Sequence, residues 1–107
     1  TQFLIFGHAY GRPRGIESTD CKSVHLVNVG TKPEVIWSFK FCTSNLASED
    51  DWICELDFDA KSKEIIYEYQ WYDEYPEHRT YVIKGKWKFR NGEFLKVDET
   101  KVYNDER

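Results

Sequence analysis

Two histidines and a set of carboxylates are the first residues in this chain that could do chemistry. His8 and His78, together with Glu49, Asp50, Asp51, Glu74 and Glu77, are of the types that ligate a divalent metal or move protons near neutral pH. No recognised sequence-local ligand pattern supports such a site, and we assign no metal and no catalytic residue. Nucleophilic catalysis would need a Ser or Cys with a His partner on a shaped turn, and no GxSxG or Cys/His signature occurs. Carboxylates are so abundant, 19 Asp and Glu in all, that a pair suited to glycoside hydrolysis carries no information. The run Phe6-Gly7-His8-Ala9-Tyr10-Gly11 matches no catalytic pattern, and its glycines are read as allowing a bend or bulge. Nothing cradles a phosphate, no cofactor is implied, and the expectation is a protein that is not an enzyme.

The cysteines offer a different chemistry. Cys21, Cys42 and Cys54 are an odd set without CxxC spacing. A hairpin through Gly30-Thr31-Lys32-Pro33 with Val29 opposite Glu34 sets Leu26 against Trp37, Val24 against Phe39 and Cys21 against Cys42. That predicts a Cys21–Cys42 disulfide in an oxidising compartment. Cys54 shares the inward face of Trp52, Leu56 and Phe58 and is expected to act as a small buried hydrophobe.

These residues must be held by strands, since period-two alternation dominates and amphipathic helical stretches are absent. Seven strands are expected, at 2–10, 22–29, 34–43, 52–58, 64–73, 79–90 and 94–103, in one domain covering 1–107. Between the fifth and sixth, one register pairs Tyr69 with Ile83, Trp71 with Tyr81, Ile65 with Trp87 and Tyr67 with Gly85. The same register opposes Glu64 to Lys88, Glu68 to Lys84 and Asp73 to Arg79. Asn91-Gly92 predicts a tight turn, with Phe94 or Leu95 inward according to whether a bulge follows. The fold class is therefore all-β, an antiparallel meander closing into a small barrel or a strongly curled sheet or sandwich. A half-open sheet covered by a second copy, a homodimer, is the alternative.

A meander alternates its connections between two ends, and their lengths are unequal. The long ones, 11–20, 44–51 and 74–78, gather at one rim, where binding residues usually sit on a rigid scaffold. Arg12, Arg14, Glu49, Asp50, Asp51, Glu74, Tyr75, Glu77 and His78 are the candidate partner-binding residues, with Tyr75 as a rigid anchor beside Pro76. A net charge of -4 disfavours nucleic acid and fits a partner that is cationic at the contact. No apolar run is long enough to span a bilayer. The chain opens at Thr1 and holds no Met, as expected after loss of a signal peptide or trimming of a recombinant chain. The expected function is a periplasmic or secreted protein-binding module of inhibitor or immunity type. The alternative is a small-ligand barrel lined by Trp37, Trp52, Trp71, Trp87, Tyr67, Tyr69 and Tyr81.

Overall fold

In the computed structural model, residues 1–11, 19–44, 53–73, 76–77 and 79–106 are described. Seven antiparallel strands run in sequence order as β1 (Gln2–Gly11), β2 (Thr19–Val29), β3 (Pro33–Ser44), β4 (Cys54–Asp59), β5 (Glu64–Tyr72), β6 (Thr80–Arg90) and β7 (Glu93–Tyr103). They divide into two sheets, β1-β2-β3 and β4-β5-β6-β7. No closed barrel is found among the described residues. Bulky rings line both inner faces and hold layers about 10 Å apart, whereas hydrogen-bonded closure needs strands about 4.8 Å apart.

The alternation that marks the strands also builds the layer between them. Trp37, Phe39 and Phe41 of β3 meet Trp87, Tyr67 and Tyr69 of the other sheet at ring separations of 5.3, 4.7 and 4.7 Å. Ile65, Tyr67 and Val24 are fully buried in this layer, with Leu26, Phe41 and Phe94 close behind. Leu56 and Phe58 complete it from β4. Of the rings predicted to enclose a ligand, Trp37, Trp87, Tyr67 and Tyr69 thus lie within this layer; Trp52 falls outside the described residues.

The β5–β6 register is as expected at every predicted pair from Glu64↔Lys88 to Trp71↔Tyr81. Beyond it, Asp73 donates its backbone N–H to Arg79 at 2.8 Å. Their side chains turn elsewhere, Arg79 to Asp105 at 3.0 Å and Asp73 to Lys101 at 3.8 Å. Leu26, Val24 and Cys21 face Trp37, Phe39 and Cys42 as predicted. The predicted pairing of Val29 with Glu34 is corrected: a bulge at Ile36 slips the register so that Glu34 faces Asn28 and Val29 faces Pro33. The bend predicted around Gly7 and Gly11 is also corrected, because β1 pairs with β2 without interruption from Gln2 to Gly11. Gly7 instead admits a close neighbour, since a Cβ there would stand 2.6 Å from the Ser23 hydroxyl oxygen.

Two turns carry their chemistry in the sequence. Asn91 and Gly92 take φ of 52° and 82°, the pair of positive values a two-residue hairpin turn requires. In the β4–β5 turn the Asp59 carboxylate accepts the Lys61 N–H at 2.9 Å, and Lys63 closes the turn at φ 57°. After Asn91-Gly92, Phe94 points inward and Leu95 outward. A bulge at Val97 then moves the register by one, so Glu99 rather than Asp98 faces Gly85, and Tyr103 rather than Val102 faces Tyr81.

Candidate functional site

The strand ends that frame the long connections lie together and are tied across one another. The predicted Cys21–Cys42 disulfide is present and joins β2 to β3. Such a bond is compatible with an oxidising compartment. Next to it, the fully buried Thr43 hydroxyl donates to the Gln70 carbonyl and accepts the Gln70 N–H at 3.2 Å, which links the two sheets. Gln70 N–H also donates to the Ile53 carbonyl at 3.1 Å. The Cys54 thiol points at the Asp20 carbonyl, 3.8 Å away, and ties β4 to β2. Burial is the main reason that this thiol is pushed up to about 11, with the nearby Asp20 carboxylate adding to the rise. Cys54 packs against Phe41, Tyr67 and Ile83 as expected, although it is half-buried rather than enclosed.

On β1, His8 Nε2 meets the Asp20 carboxylate. His8 is therefore engaged by a carboxylate, but the convergence with His78 cannot be drawn, since His78 lies outside the described residues. Among the described residues no group of three or more His, Cys, Asp or Glu is placed to hold a metal. His25 is half-buried and shares a 2.7 Å hydrogen bond between Nδ1 and the Ser38 hydroxyl.

Across β5, β6 and β7 at the same end runs a row formed by Trp71, Tyr81 and Tyr103. Tyr81 and Tyr103 meet edge to face at 5.7 Å. Cations cap the row: Arg79 sits 3.8 Å above the Tyr103 ring and Lys101 sits 4.1 Å above Tyr81. Burial raises Tyr81 above the ordinary phenol range, and Lys101 draws it partly back. Between this row and the disulfide edge of β3 lies a hollow of about 270 Å³, lined by Lys40, Phe41, Cys42, Tyr69, Trp71 and Tyr81. The arrangement can receive a flat or apolar side chain on rings already held in place, with cations at the margin.

Of the predicted contact residues, Glu77 is described, exposed in a turn next to this row. Arg12, Arg14, Glu49, Asp50, Asp51, Glu74, Tyr75 and His78 lie outside the described residues. Sequence reasoning missed Lys101 and Tyr103, because the β7 bulge that aligns them with Tyr81 has no marker such as Gly or Pro in Phe94–Tyr103. It also missed Glu99, which accepts a 2.5 Å hydrogen bond from the Tyr67 hydroxyl over Gly85 and pairs with Lys96 at 3.2 Å. No helix of the described residues is long and apolar enough to cross a membrane. No protein-family model, curated protein or solved structure matches this chain.

Proposed function

We propose that the chain is a protein-binding module of the inhibitor or immunity type. It works in the periplasm or outside the cell and blocks a target enzyme or toxin with the acidic and aromatic connections at its tied end. The observation that supports this reading is the tie itself. Strands β1 to β5 are each fixed to a neighbour by a side chain where they border a long connection, through Cys21–Cys42, Thr43–Gln70, Asp20–Cys54 and His8–Asp20, and just before β6 Arg79 pairs with Asp105. A frame fixed in this way lowers the entropy lost when its loops are held by a partner. The acidic run Glu49–Asp51 favours a target with a cationic cleft, and opposite charge speeds the encounter. A ligand held among the interior Trp and Tyr rings has less support, since Trp37, Trp87, Tyr67 and Tyr69 are engaged by ring contacts between the sheets.

Capture from envelope or secreted extract of the source organism tests the proposal. The parent protein is compared with a variant carrying Ala at Glu49, Asp50, Asp51, Tyr75 and Glu77, and with Lys32→Ala at the opposite end. The rim variant should retain about one tenth of the capture or less, equal to about 1.4 kcal/mol, while Lys32→Ala captures like the parent. Equal capture by all three proteins sinks the rim assignment.

A further inference from the structure

We infer that β1 is a self-association edge, along which a second copy of the chain adds its own β1 antiparallel to form one six-stranded sheet. Among the described residues four strands stand at sheet edges, namely β1, β3, β4 and β7. Exposed edges are normally protected by charge, proline, bulges or short length. β3 begins at Pro33, bulges at Ile36 and carries Lys40. β4 has 6 residues, three of them the acids Glu55, Asp57 and Asp59. β7 bulges at Val97 and carries Lys96, Asp98, Glu99 and Lys101. β1 alone has no Lys, Arg, Asp, Glu or Pro and no bulge in its 10 residues.

The free edge of β1 has a defined composition. Thr1 and Val29 exchange backbone bonds at 2.8 and 3.5 Å, so Thr1 is a hydrogen-bonded pair with β2. Antiparallel ladders alternate, so the odd residues turn their N–H and C=O groups to β2 and Gln2, Leu4, Phe6 and His8 turn theirs outward. A two-fold axis at Ile5 matches Gln2 with His8 and Leu4 with Phe6 of the second copy. Those four pairs supply about eight backbone hydrogen bonds, within the range of a stable interface. Phe3 then lies opposite the second copy's glycine at position 7, where a ring can cross the strand.

The pattern of β1 suits a second copy as the occupant. The chain carries -4 overall, which opposes association, but a register centred on Ile5 brings no Lys, Arg, Asp or Glu of the two strands together and sets a ring against a glycine at each end. Beneath β1 the inner face is open along two adjoining grooves of about 430 and 370 Å³ that share Phe6 and Phe58. Phe3, Ile5 and Phe6 stand 45%, 47% and 47% exposed there and on the opposite face. A second β1 brings its own Leu4 and Phe6 to the mouth of these grooves and covers Ile5 with Ile5.

Analytical ultracentrifugation of the full chain at about 100 µM tests the inference. The parent should sediment as a dimer of twice 12.8 kDa. Ile5→Lys and Ile5→Glu place like charges about 4.5 Å apart in backbone terms, and each should weaken the dimer at least tenfold. An equimolar mixture of the two should recover it. Leu4→Pro, which removes an outward N–H and no bond to β2, should also weaken it, with circular dichroism confirming the fold of each variant. A monomeric parent overturns the inference, including one that takes up an unrelated extended peptide along β1. So does a dimer that survives all three substitutions.

Discussion

Replacing Gly85 by Ala tests the packing logic of the second sheet at one atom. Gly85 is buried on β6 under the ring of Tyr67, and a Cβ there would lie 2.3 Å from the Tyr67 hydroxyl oxygen, 2.5 Å from its Cζ and 2.7 Å from the Asp98 carbonyl oxygen. Tyr67 is fully buried and cannot retreat freely, because Phe39 stands 4.7 Å from it and Phe41 stands 6.2 Å away. Overpacking of this kind costs about 1–3 kcal/mol. Displacing the ring also strains the bond to Glu99, and a hydrogen bond to a charged group is worth about 1.5–3 kcal/mol. The smaller backbone entropy of Ala in the unfolded chain returns about 0.5–1 kcal/mol. The net loss should be about 2–4 kcal/mol, a fall in Tm on the order of 10 °C for a domain of this size. Urea and thermal unfolding should be followed for Gly85→Ala, Tyr67→Leu and the double variant. Leu lacks both Cζ and the hydroxyl but leaves the Asp98 carbonyl oxygen beside the new Cβ, so in its background Gly85→Ala should cost less than in the parent by about 1 kcal/mol or more. A neutral Gly85→Ala, or an equal cost in both backgrounds, would refute the idea that the Tyr67 ring requires this glycine.

Two further outcomes concern the cysteines. Cys21→Ser with Cys42→Ser removes a link of sequence separation 21 and should lower stability by about 3 kcal/mol in denaturant titration, while non-reducing peptide mapping of the parent should return Cys21 joined to Cys42 and Cys54 free. Cys54 is held protonated to about 11 when folded against an ordinary value of 9.0, so its contribution to stability is present below pH 9 and is lost as the pH rises toward 11. Tyr67, Tyr69 and Tyr81, all raised by burial first, push in the same direction. Melting temperature should therefore fall over this window, and iodoacetamide at pH 8 should label Cys54 much more slowly in the folded than in the urea-unfolded protein. Equal labelling rates, or an alkaline melting curve that stays flat, would remove burial of the thiol as the cause.

Much of this architecture was legible because it is local. Alternation assigns a face to each residue of a strand, and two neighbouring strands with a short turn leave few registers that match ring to ring and charge to charge. That is why alternation and turn length are enough to set Tyr67 over Gly85 and Cys21 against Cys42. Register fails where one residue is inserted. The bulges at Ile36 and Val97 carry no Gly or Pro, and each shifts every pair beyond it by one. The error at Glu34 and the silence about Glu99, Lys101 and Tyr103 follow from those two insertions.

The strand ends that border the long connections follow from the same meander, while residues 12–18, 45–52, 74–75 and 78 of those connections lie outside the described residues. The side chains that tie those ends together were not legible, because Thr43 to Gln70 and Cys54 to Asp20 join strands that never pair in a ladder. What the sequence by itself determined, then, is the strands, their faces, most of their hairpin registers and the disulfide, all consequences of period-two patterning and turn chemistry. Only the tertiary structure decided that the strands divide three and four, that rings of β3, β5 and β6 meet between the sheets, and that among the described residues β1 is a sheet edge without Lys, Arg, Asp or Glu. Those choices depend on how large aromatic side chains from distant strands share one layer, and no local pattern along the chain records that.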